Sequence, residues 1–395
     1  MVGRSATLGD AHNFGRRVSL RGGRVLKPRS VFWEWLVLAA DSPLRQQLNE
    51  AAARDGLGQN VFDFLPTLRF FPSRRGVGGE VERVALEPLP RASRTRRRQL
   101  ARIVGRSLAL WSWLGVADLH WENLVLGLDA EGGVVFGPLD VELFFSDLSR
   151  PTETKLIPDA DPEYGELCRH ACGVRRVLPQ LGKPLDVGDL LAVAGAYLGT
   201  LGLLERNAAA LAKLLSRLPG LRQAPIRVLL RSTGEYMQPG LEPLWPPLLD
   251  AEAEQLARGD VPYFFRLYGK PGIHYYADRS LRSMKTLPRA GDVPQLEPLL
   301  DLSRGLRAAS RKKLREDGLF TVLGAFDHAD FTGKHASDEL AVTFGARDLV
   351  VKRPDGSELR ARRDLSAFVG SVYLPCRCGE VRTVFVPSVT RCSAP

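Results

Sequence analysis

Cysteine, methionine and lysine are all scarce in this chain. Five cysteines in 395 residues are few and odd in number, which argues against a disulfide-stapled secreted scaffold and for a reducing compartment, the cytoplasm. No run of about 18 uncharged apolar residues is present, so no transmembrane helix and no membrane partner are expected. The polar opening MVGRSATLGD lacks the apolar core of a signal peptide. Lysine is rare but positive charge is not: 10 lysines stand beside 45 arginines, and the net charge is +10. That balance favours anionic partners, although an arginine-rich codon bias gives the same composition. No segment alternates basic and aromatic residues as a nucleic-acid groove does, so nucleic acid is not expected. At 44% hydrophobic and 25% charged residues, the remainder is ordinary for a globular protein with a sizeable core.

Along the chain, RVSL and RVLK around Gly22-Gly23 read as a β-hairpin. Residues 31–55 read as helix, interrupted near Ser42-Pro43. VFDFLPTLRFFPS and EVERVALEPL read as strands flanking a glycine-rich loop. Residues 92–115 and 186–217 are apolar at helical spacing, and NLVLGLDAEGGVVFGPLDVELFF reads as strand, loop, strand. Beyond about residue 300, a helix at 301–316 leads into short β-like segments from FTVLGAF to VRTVFVP. The expected class is α+β. Its divisions are a β-rich nucleotide-binding part at 1–90, a helical catalytic part at 91–300, and a helix with a small β-rich tail at 301–395. The tail's Cys376, Cys378 and Cys392 are too sparse for a convincing zinc site.

Three pieces of sequence fit phosphoryl transfer, in which a protein positions ATP, holds Mg²⁺ on oxygen ligands and orients the attacking hydroxyl. In VADLHWEN, Asp118 and Asn123 are five apart, the spacing of the Asp and Asn in the kinase catalytic loop H-R-D-x-x-x-x-N. Asp118 is then the hydroxyl-orienting group and Asn123 a metal ligand. His120 either acts on phosphate or braces the loop. In GPLDVELFF, Asp140 follows an apolar strand 17 residues later, with Glu142 two further on and so on the same side of an extended segment. Together they are candidate metal ligands. Lys27, on the second hairpin strand, is placed like the kinase lysine that meets the α- and β-phosphates. Taken singly, Asp118 and Asn123 are also common turn formers, Asp140 a strand-end carboxylate and Lys27 a surface lysine. It is their order that points to a nucleotide site.

These motifs resemble a particular group, the dehydratase domain of class II, LanM-type lanthipeptide synthetases. GDAHNFGRRV, VLKPRS, DLHWENLVL, PLDVELFF, RVLLRSTGEY and GDVPYFF follow the family's order over roughly residues 9 to 300. The resemblance implies a kinase-like two-lobed core. It implies ATP- and Mg²⁺-dependent phosphorylation of Ser and Thr in a ribosomally made precursor peptide, then β-elimination of phosphate to dehydroalanine or dehydrobutyrine. By position, Lys27, Asp118, His120, Asn123 and Asp140 would serve phosphorylation, with Glu142 assisting the metal. Asp10, His12, Arg227 and Thr233 match positions tied to elimination, and Arg231 is a weaker candidate in the same motif. Elimination asks for a base for the α-proton and a cation for the departing phosphate, which histidine and arginine supply. Nothing in these residues matches the family's zinc-bearing cyclase domain, so dehydration without cyclisation is expected, with any ring closure left to a separate cyclase. Two alternatives remain at this point: a phosphotransferase that never eliminates, and a non-catalytic peptide-binding protein.

Overall fold

The computed structural model describes residues 6–71, 79–146, 148, 150–157, 171–181, 187–231, 235–236, 248–288 and 314, together with five strands of the tail. It is mixed α and β, as the patterning implies. β1 (Ala6–His12), β2 (Arg16–Arg21) and β3 (Arg24–Lys27) form an antiparallel meander, extended by β4 (Phe70–Phe71) and β5 (Gly79–Glu82) in the order β1-β2-β3-β5-β4. The hairpin turn is where Gly22-Gly23 put it, both residues having positive φ. β1 is irregular: its pairing passes from Leu8↔Val18 to His12↔Arg16 with a register shift between. Such a bulge bends a strand and re-aims its side chains, and this one falls at Asp10, just before His12.

Next come α1 (Phe32–Leu38) and α2 (Pro43–Arg54). The break between them is a helix start: Ser42 accepts a hydrogen bond from the Arg45 N–H at 3.0 Å, and Pro43 occupies the first turn, where its missing N–H costs nothing. α1 reads FWEWLVL, and its one charged residue, Glu34, is 1% exposed. The stretch 61–71, expected as a strand, is strand only at Phe70–Phe71. Local turn bonds, Asp63 N–H to Asn60 and Leu65 N–H to Phe62, coil it so that Phe62, Phe64 and Leu65 all face inward. Pro66, with no N–H to give a ladder, helps exclude a longer strand.

α3 (Arg94–Leu114) is capped by Ser93 and apolar from Leu100 onward. α4 (Leu178–Leu181), α5 (Val187–Arg206) and α6 (Ala208–Ser216) follow, and α3 packs along α5 at the centre of the main core. Each fully buried leucine or tryptophan there, such as Leu108 and Trp111, contributes about 1.5–3 kcal/mol. α3 ends at Gly115, in the left-handed conformation (φ 66°), and a Cβ there would stand 2.3 Å from the Ser146 carbonyl. Conformation and close approach both call for glycine. The stop delivers VADLHWEN to the surface beside β6 (Leu124–Leu128) and β7 (Val134–Pro138), the expected hairpin.

A second antiparallel sheet, ordered β11-β10-β9-β8, is made of β8 (Ile226–Val228), β9 (Phe264–Leu267), β10 (Lys270–Tyr276) and β11 (Met284–Thr286), accompanied by α7 (Asp250–Ala257). It puts two sequence motifs side by side, since Arg227 pairs in register with Phe265. In the tail, β12 (Ala341–Phe344), β13 (Asp348–Lys352) and β14 (Glu358–Arg362) form one antiparallel sheet, and β15 (Val372–Pro375) pairs with β16 (Val381–Phe385). The β character expected of the tail holds for these strands. FTVLGAF, the tail cysteines and, apart from Leu314, the helix expected at 301–316 lie outside the described residues. Among the described residues no helix is long and apolar enough to cross a membrane.

Candidate functional site

Lys27 ends β3, the central strand of the first sheet, and its side chain is buried. Its ammonium donates to the Leu139 carbonyl at 2.7 Å and to Glu34 Oε1 at 3.1 Å, and Asp140 Oδ2 lies 3.8 Å away. Glu34 thus has its reason for being buried in an apolar helix: a buried carboxylate is tolerable when paired. Arg29, two residues beyond Lys27, completes the cluster. Its guanidinium donates to Asp140 Oδ1, lies 2.6 Å from Glu34 Oε1, and has Nε 2.8 Å from Glu142 Oε2. Glu142 Oε1 in turn accepts from Arg227 Nη1, and the Arg227 N–H donates to the Glu142 carbonyl at 2.9 Å. One ion-pair network therefore runs from α1 through β3 and the segment after β7 to β8.

His12 stands at the far end of it. The turn that holds His12 is docked by GDVPYFF: Asp260 accepts from the N–H groups of Phe14 and Gly15, both at 2.7 Å, and the Val261 N–H donates to Ala11. His12 Nδ1 donates to the Val261 carbonyl at 2.7 Å, so in the neutral ring the lone pair sits on Nε2. Burial, with the charge of Arg227, holds the imidazole pKa below its ordinary 6.5. The Tyr263 ring packs 6.0 Å from His12, and the Arg227 guanidinium lies 5.5 Å from the same ring. Burial pushes Asp140 up, but Arg29, Lys27 and Arg227 outweigh it and hold the carboxyl well below the usual range. Burial likewise works against the charge on Arg227, and Glu142 more than compensates.

The VADLHWEN loop adjoins this network through Asn123, whose carbonyl accepts from the Leu139 N–H at 2.9 Å. The Asn123 amide donates to the Asp118 backbone carbonyl at 2.9 Å. Asp118 itself, about a third exposed, pairs with Lys155 at 2.8 Å. His120 is joined to Cys172 by an isolated backbone bridge, and its Nδ1 is 3.8 Å from Glu122, beyond hydrogen-bond reach.

Lys27, Asp140, Glu142 and Arg227 are thus gathered in one network, His12 lies against the same Tyr263 ring as Arg227, and Asn123 and Asp118 adjoin the network. Asp10 lies on the bulge beside His12 and acts on it electrostatically. Arg231 is separate: it is buried against Glu252 of α7 at 2.9 Å. Thr233 lies outside the described residues. Among the described residues no group of three or more His, Cys, Asp or Glu side chains is arranged to hold a metal ion. Mg²⁺, however, commonly takes one or two protein oxygens and completes its shell with phosphate and water. Asp140, with its side chain 35% exposed, and Asn123 fit that pattern. Glu142 is more fully engaged, since both its oxygens face guanidinium groups, whereas Asp140 has one oxygen on Arg29 and the other 3.8 Å from Lys27.

Sequence reasoning missed four members. Arg29 lies two residues past Lys27 in the quoted VLKPRS, and Glu34 is a lone charge in an apolar helix. Either was a visible signal. Asp260 sat unremarked within GDVPYFF, and only the tertiary structure brings Lys155 to Asp118. No family model matches this chain, and no curated protein matches it.

Proposed function

We propose that the protein is a kinase-like, two-lobed dehydratase of the LanM type. It phosphorylates Ser and Thr of a precursor peptide with ATP and Mg²⁺ and then eliminates the phosphate. The observation that carries this is the continuous ion-pair network joining Lys27, Asp140 and Glu142 to Arg227, with His12 against the same Tyr263 ring as Arg227. Asp140, proposed for transfer, and Arg227, proposed for elimination, lie 87 positions apart in sequence, and Glu142 and Arg29 link them through ion pairs.

In the transfer step, Asp118 orients the peptide hydroxyl and receives its proton. The hydroxyl oxygen forms a bond to the γ-phosphorus, and the bond from that phosphorus to the bridging oxygen breaks, its electron pair leaving with ADP. Lys27 offers an ammonium to the nucleotide phosphates, held ready by Glu34 and the Leu139 carbonyl. Mg²⁺ would be held by Asp140 and Asn123, and it supplies neutralisation of phosphate charge when bound. In elimination, a base takes the α-proton, the Cα–Cβ double bond forms, and the Cβ–O bond breaks with its pair departing on phosphate. His12 Nε2 is suited to the base: the ring is neutral at neutral pH and its Nδ1–H is committed to Val261. Arg227 is suited to the phosphate, because its buried Nε has no hydrogen-bond partner and a guanidinium edge matches phosphate oxygens. Glu142 orients Arg227 and Arg29.

The test is mass spectrometry of a short Ser/Thr-rich peptide, taken from beside the gene where one is encoded there, after incubation with protein, ATP and Mg²⁺. Loss of one water per modified residue is expected. A stable phosphopeptide would instead indicate the phosphotransferase that never eliminates, and an unmodified peptide with no Mg-ATP binding a non-catalytic protein.

A further inference from the structure

We propose that Lys155 is a further catalytic residue of the transfer step, its ammonium bridging Asp118 and the phosphoryl group in flight. This rests on the role of Asp118 proposed above. Among the described residues seven non-glycine positions have positive φ, and Asp118 (65°) and Lys155 (62°) are two of them. That conformation costs a residue with a side chain about 1–2 kcal/mol, and it persists only where the surroundings impose it.

The surroundings do so here. The Leu119 N–H donates to Thr154 at 2.9 Å, the Lys155 N–H to Thr152 at 2.8 Å, and the Gly173 N–H to the Lys155 carbonyl at 3.0 Å. Gly173 lies so close beneath the loop that a Cβ on it would stand 2.4 Å from the Leu119 carbonyl. Two strained backbones are thus locked with their side chains meeting at 2.8 Å. Aspartate adopts this conformation more readily than most residues, and Lys155 takes it as the C-cap of the short helical turn Pro151–Thr154, so the loop is fixed by its backbone, and the exposed ion pair adds only about 0–1 kcal/mol.

What the arrangement provides is a fixed cation at the hydroxyl-orienting carboxylate. An ammonium has three donors. Asp118 takes one, and the Lys155 side chain is 54% exposed, leaving two on the open side from which a peptide hydroxyl must approach. Lys27, by contrast, is 8% exposed and committed to Glu34 and Leu139. Charge spreads over the phosphoryl oxygens during transfer, and a preorganised cation stabilises it there. Lys155 forms no covalent bond and stays protonated throughout. Elimination makes no use of it, since Arg227 and His12 belong to the other end of the network.

The experiment compares wild type, Lys155→Met and Lys155→Arg on two probes: a synthetic Ser/Thr-rich peptide, with ATP and Mg²⁺, and the same peptide synthesised with phosphoserine. Lys155→Met is expected to slow transfer about 100-fold, the usual order for removing one preorganised transition-state donor. Lys155→Arg should recover part of the rate, while elimination from the phosphoserine peptide and the melting temperature stay unchanged. Wild-type transfer by Lys155→Met, or equal loss of transfer and elimination, overturns the proposal. If wild-type protein acts on neither peptide, the role of Asp118 fails first and takes this one with it.

Discussion

Around Asp140 and Glu142 the cations are buried and matched: Lys27 and Arg29 are 8% and 9% exposed, Arg29 touches three carboxylates, and Glu142 holds two arginines. Around Asp118 they are open, with one exposed lysine for a partner and an amide donating to the backbone. Both regions carry candidate phosphate chemistry, yet they are built on different terms. The buried region is fixed before any ligand arrives, because removing one member strands another charge in a low-dielectric interior. The open region is shaped by backbone strain and hydrogen bonds, so its side chains remain free to meet a substrate. In the proposed mechanism, electrostatic preorganisation and substrate access are thus divided between neighbouring parts of one site.

That contrast can be broken most forcefully at Arg29. Arg29→Ala leaves Glu34, Asp140 and Glu142 without their shared cation, and a stability loss of about 3–5 kcal/mol is expected by chemical denaturation, the usual cost of breaking a buried pair from one side. A loss no larger than that of an exposed pair would mean that the network is not preorganised. Acid comes next. The folded-state pKa of Asp140 is depressed, so its ion pairs contribute stability that is present above the ordinary carboxylate range and is lost between about pH 4 and about pH 2. Asp140→Asn should flatten that part of the stability profile. A smaller slope of the opposite residue type belongs to His12, whose folded-state pKa lies below 6.5. The unfolded chain then binds more protons just below that value, so stability rises with pH through this window. His12→Gln should remove the rise, and elimination in the wild type should weaken as the ring gains its proton. Least of all for stability, Asp118→Asn should shift unfolding by no more than about 1 kcal/mol while abolishing transfer. Equal damage to folding and activity at Asp118 would erase the distinction between the two regions.

The helices and the two hairpins were legible because periodicity and turn chemistry are local: Gly22-Gly23, Ser42-Pro43 and Gly115 each act through their own backbone. The segment 61–71 misled because its apolar residues are satisfied equally well by a coil that buries Val61, Phe62, Phe64, Leu65 and Leu68. At the site, Lys27, Asp118, Asn123 and Asp140 could be named from spacing. Their partners could not, because Arg29–Glu142, Arg227–Glu142 and Lys155–Asp118 are tertiary pairs that no short window contains. Glu142 is the instructive residue. Its spacing from Asp140 suggested a second metal ligand, and the fold commits both its oxygens to arginines instead.

Whether Arg227 serves elimination and not transfer is tested most directly by replacing it. Mass spectrometry would follow a Ser/Thr-rich peptide incubated with ATP, Mg²⁺ and either wild-type protein or Arg227→Lys, which keeps the charge opposite Glu142 and loses the guanidinium edge. A dehydrated product with wild type and an accumulating phosphopeptide with the variant are expected. A phosphopeptide that persists with wild type, or a folded Arg227→Lys protein that no longer phosphorylates at all, would contradict the role assigned to Arg227.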